Sequence, residues 1–205
     1  MLFALIYINL CEEMEKVMKN KSLIVLAVVA AVVIILIGTF VGSYNGLVNK
    51  QTNVDEKAAT IQADLQRRND LIPNLVTTVK GYATHEEDVF TAIADARSKL
   101  AGAGTIQEQS AANSAMDSAL SRLLVVVENY PDLKANQSFI ALQDTLEGTE
   151  NRIKVSRVDY NEAAAVYNAS IRKFPTVIIA GMFGFEKVDL FQAEAAAQEA
   201  PVVSF

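Results

Sequence analysis

The hydrophobic pattern changes character twice along this chain. From Leu23 to Val41, LIVLAVVAAVVIILIGTFV, nineteen residues carry no charge, and only Gly38 and Thr39 interrupt the aliphatic run. At ~1.5 Å per residue, a helix of that length matches the ~30 Å hydrocarbon core of a bilayer. The run predicts a transmembrane helix, bounded at residues 22–42. Beyond it the apolar residues thin to a stripe. Leu47, Val54, Ala58, Ile61 and Leu65 fall on one helical face. This first helix, running on from the anchor or kinked at Gly42 and Gly46, is expected to end near Arg68.

Asn69-Asp70 then supply a cap for a second helix over 70–100, with Pro73 in its first turn and Leu71, Ile72, Leu75, Val76, Val79, Tyr82, Phe90, Ile93 and Leu100 as its stripe. Ala101-Gly102-Ala103-Gly104 breaks it. A third helix over 106–128 points Ile106, Met116, Leu120, Leu123, Leu124 and Val127 inward. Pro131 disfavours helical geometry at Tyr130, and Asn136 is the next cap. The fourth helix has the clearest pattern: Phe139, Leu142, Leu146, Thr149, Ile153, Ser156, Tyr160, Ala163, Tyr167 and Ser170 alternate steps of four and three. A heptad sustained this long argues for packing against other long helices.

Pro175 stops that helix. The pattern then changes again, to the apolar, glycine-punctuated FPTVIIAGMFGF of residues 174–185, which is too short to span a bilayer. It is expected to fold back over the end of the bundle, or to present a patch to the membrane surface or to a partner, with Phe183 and Phe185 as its candidate contact residues. One more short amphipathic helix is expected over 190–200. The predicted class is all-α: a single transmembrane helix followed by an antiparallel four-helix bundle. The chain divides into an N-terminal cytoplasmic leader (1–21), the span (22–42) and a bundle domain with its apolar C-terminal extension (43–205).

Composition agrees with long regular elements, since 205 residues include only four prolines, nine glycines and no tryptophan. The net charge of −6 argues against nucleic-acid binding, which needs a concentrated basic face. Lys16, Lys19 and Lys21 precede the span closely, whereas Lys50 and Lys57 follow at greater distance. The denser basic flank places the leader in the cytoplasm and the bundle outside the cell membrane. Cys11 is the only cysteine, so an exported domain must be stable without an internal disulfide. Its surroundings lack the small residues of a lipidation site. The leader has no basic region ahead of its apolar run, and MKNKSLIVL from Met18 is the better-formed start of an anchor, with Met14 as a second candidate start.

Signals for chemistry are sparse. His85 is the only histidine and sits among polar residues, which predicts a surface position. No second histidine completes an H-E-x-x-H pair, and no phosphate loop or nucleophile elbow is present. No cofactor and no enzymatic activity are predicted. Arg67-Arg68-Asn69-Asp70 is the one charged cluster to weigh. Local capping and ion pairing compete there with a two-arginine contact for an acidic partner or anion. Lys154, Arg157, Arg172 and Lys173 read as a solvated face of the fourth helix, and the asparagines near Tyr160 and Tyr167 as register-setting contacts.

Several longer motifs carry a resemblance. Tyr44-Asn45-Gly46-Leu47-Val48, LQRRNDLIPNLVTTVKGY from Leu65 to Tyr82, ENYPDLKAN from Glu128 to Asn136, and Arg172-Lys173-Phe174-Pro175 followed by Gly184-Phe185 are similar to the LemA family of bacterial and archaeal membrane-anchored proteins. The likeness covers essentially everything after the anchor. It implies an anchored antiparallel four-helix bundle without known catalytic residues. The reading is then a non-enzymatic membrane protein, structural or adaptor in role. Its expected partners are the lipid bilayer, a membrane or extracytoplasmic protein and, through self-association, other copies of itself. An extracytoplasmic ligand-sensing module and a cryptic enzyme are the alternatives.

Overall fold

The computed structural model describes residues 2–192, with side chains from Leu23 to Gln192. Six helices cover them: α1 (Leu2–Lys80), α2 (Glu87–Gly102), α3 (Ile106–Val127), α4 (Pro131–Lys134), α5 (Gln137–Ser170) and α6 (Thr176–Phe183). The protein is all-α. Its first helix is apolar and exposed at every position from 23 to 42, then turns amphipathic and packs against the helices that follow.

α1 departs from the sequence expectation. It does not end near Arg68. It runs unbroken through Gly42, Gly46, Asn69-Asp70 and Pro73 to Lys80. The reason is the seam it buries. Leu47, Val54, Ile61, Arg68 and Leu75 repeat every seven residues, and Leu65, Ile72 and Val79 repeat beside them; all eight are buried. Pro73 removes one intrahelical hydrogen bond, yet a break at 69–70 would have torn this seam. The break falls instead at 81–86, where the Tyr82 and Ala83 N–H groups both donate to the Val79 carbonyl (3.0 and 2.9 Å) and Ala83 is fully buried as a plug. The expected 70–100 helix is therefore divided between α1 and α2. Five helices follow α1, where four were expected after the span: the first of those four is part of α1, and α4 and α6 are short helices of their own.

α5 is the antiparallel partner of α1. Lys57 meets Asp159, Asp64 meets Ser156 and Arg68 meets Glu150, so each step forward on α1 is answered by a step back on α5. Most of the predicted α5 series is buried, including Phe139, Thr149, Ile153, Ser156, Tyr160, Ala163 and Tyr167. α2 and α3 form a hairpin on this pair. Its turn is fixed by a capping box at Thr105 and Glu108. Leu124, expected inside, is 45% exposed; Leu123 and Val127 hold the buried face, and Leu124 lies a residue off it.

The interior separates into two apolar clusters. A membrane-proximal one gathers Leu47, Val54, Ile61, Tyr160, Tyr167, Ile171, Ile179 and Phe191. A distal one gathers Ile72, Val79, Phe90, Ile93, Met116, Leu123, Leu133 and Phe139.

Candidate functional site

Between the two clusters lies a polar layer centred on Arg68. Its side chain is only 4% exposed and occupies a core position of the α1 heptad. Nη1 donates to Asn113 Oδ1 (2.8 Å) and lies 3.0 Å from Glu150 Oε2, while Nη2 pairs with Asp117. Asn113 Nδ2 in turn donates to the second Asp117 oxygen (3.0 Å). The planar guanidinium thus joins α1, α3 and α5 at one level. Asn113 and Asp117 carry the missed sequence signal: a four-residue polar spacing on the inward side of a helix.

The four candidate residues of this motif separate. Arg68 and Asn69 are buried, whereas Arg67 and Asp70 are exposed on the outer side, where Asp70 accepts from Gln66 Nε2 (2.8 Å). Arg67 and Arg68 do not converge. Asn69 Oδ1 accepts no hydrogen bond, and neither does Gln109 Oε1; both residues line a cavity of about 70 Å³ beneath the α2–α3 turn.

Below this layer an extended strap, residues 185–192, returns along α5. Two asparagines clasp it. Asn168 Nδ2 donates to the Val188 carbonyl (2.8 Å) while Asn168 Oδ1 accepts from Val188 N–H (3.0 Å). Asn161 makes the same pair with Phe191 (2.9 and 2.8 Å). Seven helical residues rise ~10.5 Å, close to the reach of three extended residues, so both clasps close in one register. Tyr160 adds a hydrogen bond to the Asp189 carbonyl (2.7 Å), and Arg157 one to Gln192 (2.9 Å), its guanidinium 4.7 Å from the Phe191 ring. Arg157 is therefore a strap contact, not part of a purely solvated face. Burial raises the Tyr160 phenol above its ordinary pKa, with the Asp189 and Asp55 charges adding to it. The short helix expected over 190–200 lies mostly outside the described residues.

The base of the bundle is aromatic. α6 folds back beneath it, burying Ile179 and Ala180, and ends in a left-handed Gly184 (φ 72°) that lets Phe185 N–H reach the Ala180 carbonyl (3.0 Å). Phe183 packs on Phe40 (6.0 Å between centroids) and on Tyr44 (4.8 Å), and Phe185 on Tyr44 (5.8 Å). Phe183 is half exposed, and Phe174, Ile178 and Met182 are more so.

At the far end, Asn136 Nδ2 donates to the Tyr82 hydroxyl (2.9 Å) and Tyr130 donates to Glu86 (3.3 Å). His85 is exposed beside them. No group of three or more His, Cys, Asp or Glu side chains that could hold a metal occurs among the described residues.

The profile of the LemA family matches residues 57–205. The chain belongs to the LemA family. Its relatives include Magnetosome protein MamQ 1 of Paramagnetospirillum magneticum, 29% identical over 206 aligned residues that cover 88% of this chain and 74% of that protein. Magnetosome protein MamQ of Magnetospirillum gryphiswaldense is 26% identical over 207, covering 88% and 76%. Protein LemA of Metamycoplasma hominis is 28% identical over 155, covering 75% and 71%. This LemA-family chain has, among the described residues, one helix long and apolar enough to cross a membrane.

Proposed function

We propose that this LemA-family protein is a structural or adaptor protein that holds a helical bundle at fixed height above the outer face of the cell membrane and acts through protein contacts. The observation that carries this reading is the continuity of α1. One helix leaves the bilayer and becomes the spine of the bundle, with no linker between them. From Val41 to Lys80 it can extend about 58 Å. In this reading α1, α2, α3 and α5 act as one antiparallel four-helix unit, with α4 as a connector and α6 as a base. Phe183 and Phe185 seat that base at the interface, and Arg67 and Asp70 face the partner. The lysines before the span support an extracytoplasmic bundle.

Cross-linking in native membranes, read by mass spectrometry, tests the reading. The expected result is a specific membrane or extracytoplasmic partner, another copy of this chain included. Recovery of none would sink it. A reporter fused after Phe205 and active only outside the cytoplasm is the expected result for orientation; activity only inside would invert the topology.

A second reading, a small-ligand sensing module, draws on the unpartnered oxygens of Asn69 and Gln109. A cavity of about 70 Å³ with two acceptors suits a small donor such as ammonium. A melting-temperature rise with ammonium that is absent in Asn69→Leu is its expected outcome. An equal response in both proteins removes it.

A further inference from the structure

A groove of about 940 Å³ opens at the base of the bundle, between α1, the end of α5 and the turn that leads into α6. Its lining changes character with height. Gly38 and Gly42 form the lower part, and a Cβ built on either would meet nothing within 4 Å, so the groove is open down to the span. Phe174, 82% exposed, borders it. Lys50 and Lys173 line the upper part, and no carboxylate lines any of it. Neither lysine has an ion-pair partner among the described residues.

Continuity with the span fixes where this groove sits. Gly38 lies within the apolar run, and Gly42 and Gly46 fall in the headgroup layer, which is roughly 5–8 Å deep on each side. Lys50 stands just above. The groove is therefore apolar among the acyl chains and cationic at the level of the phosphates. Glycines alone supply only room; the two unpaired lysines above them set the ligand. A second α1 packed on the same floor in a two-fold pair would bring like charges together at the mouth. An anionic lipid would instead neutralise them.

We propose that this groove binds one anionic phospholipid of the leaflet from which α1 emerges, with its phosphate at Lys50 and Lys173 and an acyl chain along Gly38 and Gly42. The proposal rests on α1 crossing the bilayer and is independent of the protein-contact reading.

Native mass spectrometry of the full chain, released from nanodiscs of mixed phosphatidylglycerol and phosphatidylcholine, tests it. The protein is expected to retain one phosphatidylglycerol in preference to phosphatidylcholine. Lys50→Gln/Lys173→Gln should lower that preference by about fivefold per lysine, the scale of one basic side chain at an anionic surface. Lys99→Gln/Lys154→Gln, the same charge change away from the groove, should leave it intact. Gly42→Leu, which fills the floor and keeps the lysines, should lower retention of both lipids. Circular dichroism of each variant shows that the helices are kept. Three results would overturn the proposal: an unchanged preference in the groove-lysine variant, an equal loss in the Lys99/Lys154 control, or displacement of the lipid by millimolar inorganic phosphate. A dimer that carries no lipid and is lost in Gly42→Leu would do so too, assigning the groove to a second copy.

Discussion

The two apolar clusters share a spine but not a cover. Both are built on the α1–α5 pair, which is continuous through the whole bundle. The distal cluster is covered by the α2–α3 hairpin and by α4, and its buried side chains are aliphatic, Phe or Met. The proximal cluster is covered by α6, the strap and the closed end of the hairpin, and two of its buried side chains are tyrosines, one of which hydrogen-bonds the strap. Two antiparallel helices cannot bury both their stripes alone. The hairpin covers the distal seam and its closed end reaches past Arg68, with Leu100 and Ala112 in the proximal cluster; the C-terminal segment covers the rest. Ser110 marks where the two covers meet, its hydroxyl donating to the Gln192 carbonyl (3.0 Å). The distal core is thus complete from helices joined by short turns, while the proximal core depends on a segment far along the chain.

The strongest way to break this arrangement is at the layer between the cores. Arg68→Ala leaves Asp117 and Glu150, both partly exposed, without their shared cation. Breaking a buried ion pair from one side typically costs ~3–5 kcal/mol. Because both carboxylates keep part of their hydration, we expect a loss at or below the lower end of that range by chemical denaturation. Hydrogen exchange should then show the two cores opening at separate denaturant concentrations, where the parent opens in one step. Arg68→Lys should recover little, because an ammonium cannot reproduce a planar fork to three acceptors. Arg68→Met with Asp117→Leu should recover more than half the loss if the layer sets register and not stability. A variant Arg68→Ala that melts like the parent would dissolve the distinction between a coupling layer and an ordinary surface pair.

What could be read from the chain divides along the same line. The span and the α5 heptad were legible because each is a single uninterrupted pattern. Helix α3 lies at almost its expected bounds because Ala101–Gly104 and Pro131 are strong local signals. The α1–α2 boundary was misplaced because Asn69-Asp70 and Pro73 mimic a helix start, and only the long-range seam overrides them. Arg68 was visible as a candidate, but its burial was not. Charge in a sequence suggests solvent, and the partners on α3 and α5 lie 45 or more positions away. The strap was illegible for a related reason: its hydrogen bonds run from side chain to backbone, which leaves no periodicity.

A smaller effect, confined to one side, should follow from the asparagine clasps. Each of Asn161 and Asn168 makes two hydrogen bonds to the strap, and a typical bond contributes ~0.5–1.5 kcal/mol. Asn168→Ala should therefore destabilise by about 1–3 kcal/mol. Amides of the strap and of α6 should exchange faster, while those of α2 and α3 around Ile93 and Met116 stay protected. Asn168→Asp keeps the acceptor and loses the donor, so it should retain part of the protection at Val188 N–H. Uniform loss of protection in both cores would mean that the C-terminal cover is not a separate unit.

The smallest expected effect sharpens the boundary by pH. Glu108 closes the capping box at the α2–α3 turn, its Oε2 accepting from the Gly104 and Thr105 N–H groups (2.9 and 3.0 Å). The Gly104 backbone bond, then that of Thr105, then the Thr105 hydroxyl hold its carboxyl below the ordinary value of 4.5. A depressed carboxyl stabilises the fold above its unfolded pKa, and that contribution is lost as pH falls through the folded one. The stability difference between the parent and Glu108→Gln should be largest at neutral pH and shrink in acid. Thr105→Ala, which removes the cap itself, should cost about 1 kcal/mol, with a smaller pH dependence. Ile106, the first residue of α3, packs against the proximal cluster. Acid should therefore loosen amides near Ile106 and Leu100 before those around Phe90 and Val127. The reverse order would place the cap's influence in the distal core and move the boundary between the two regions toward the membrane.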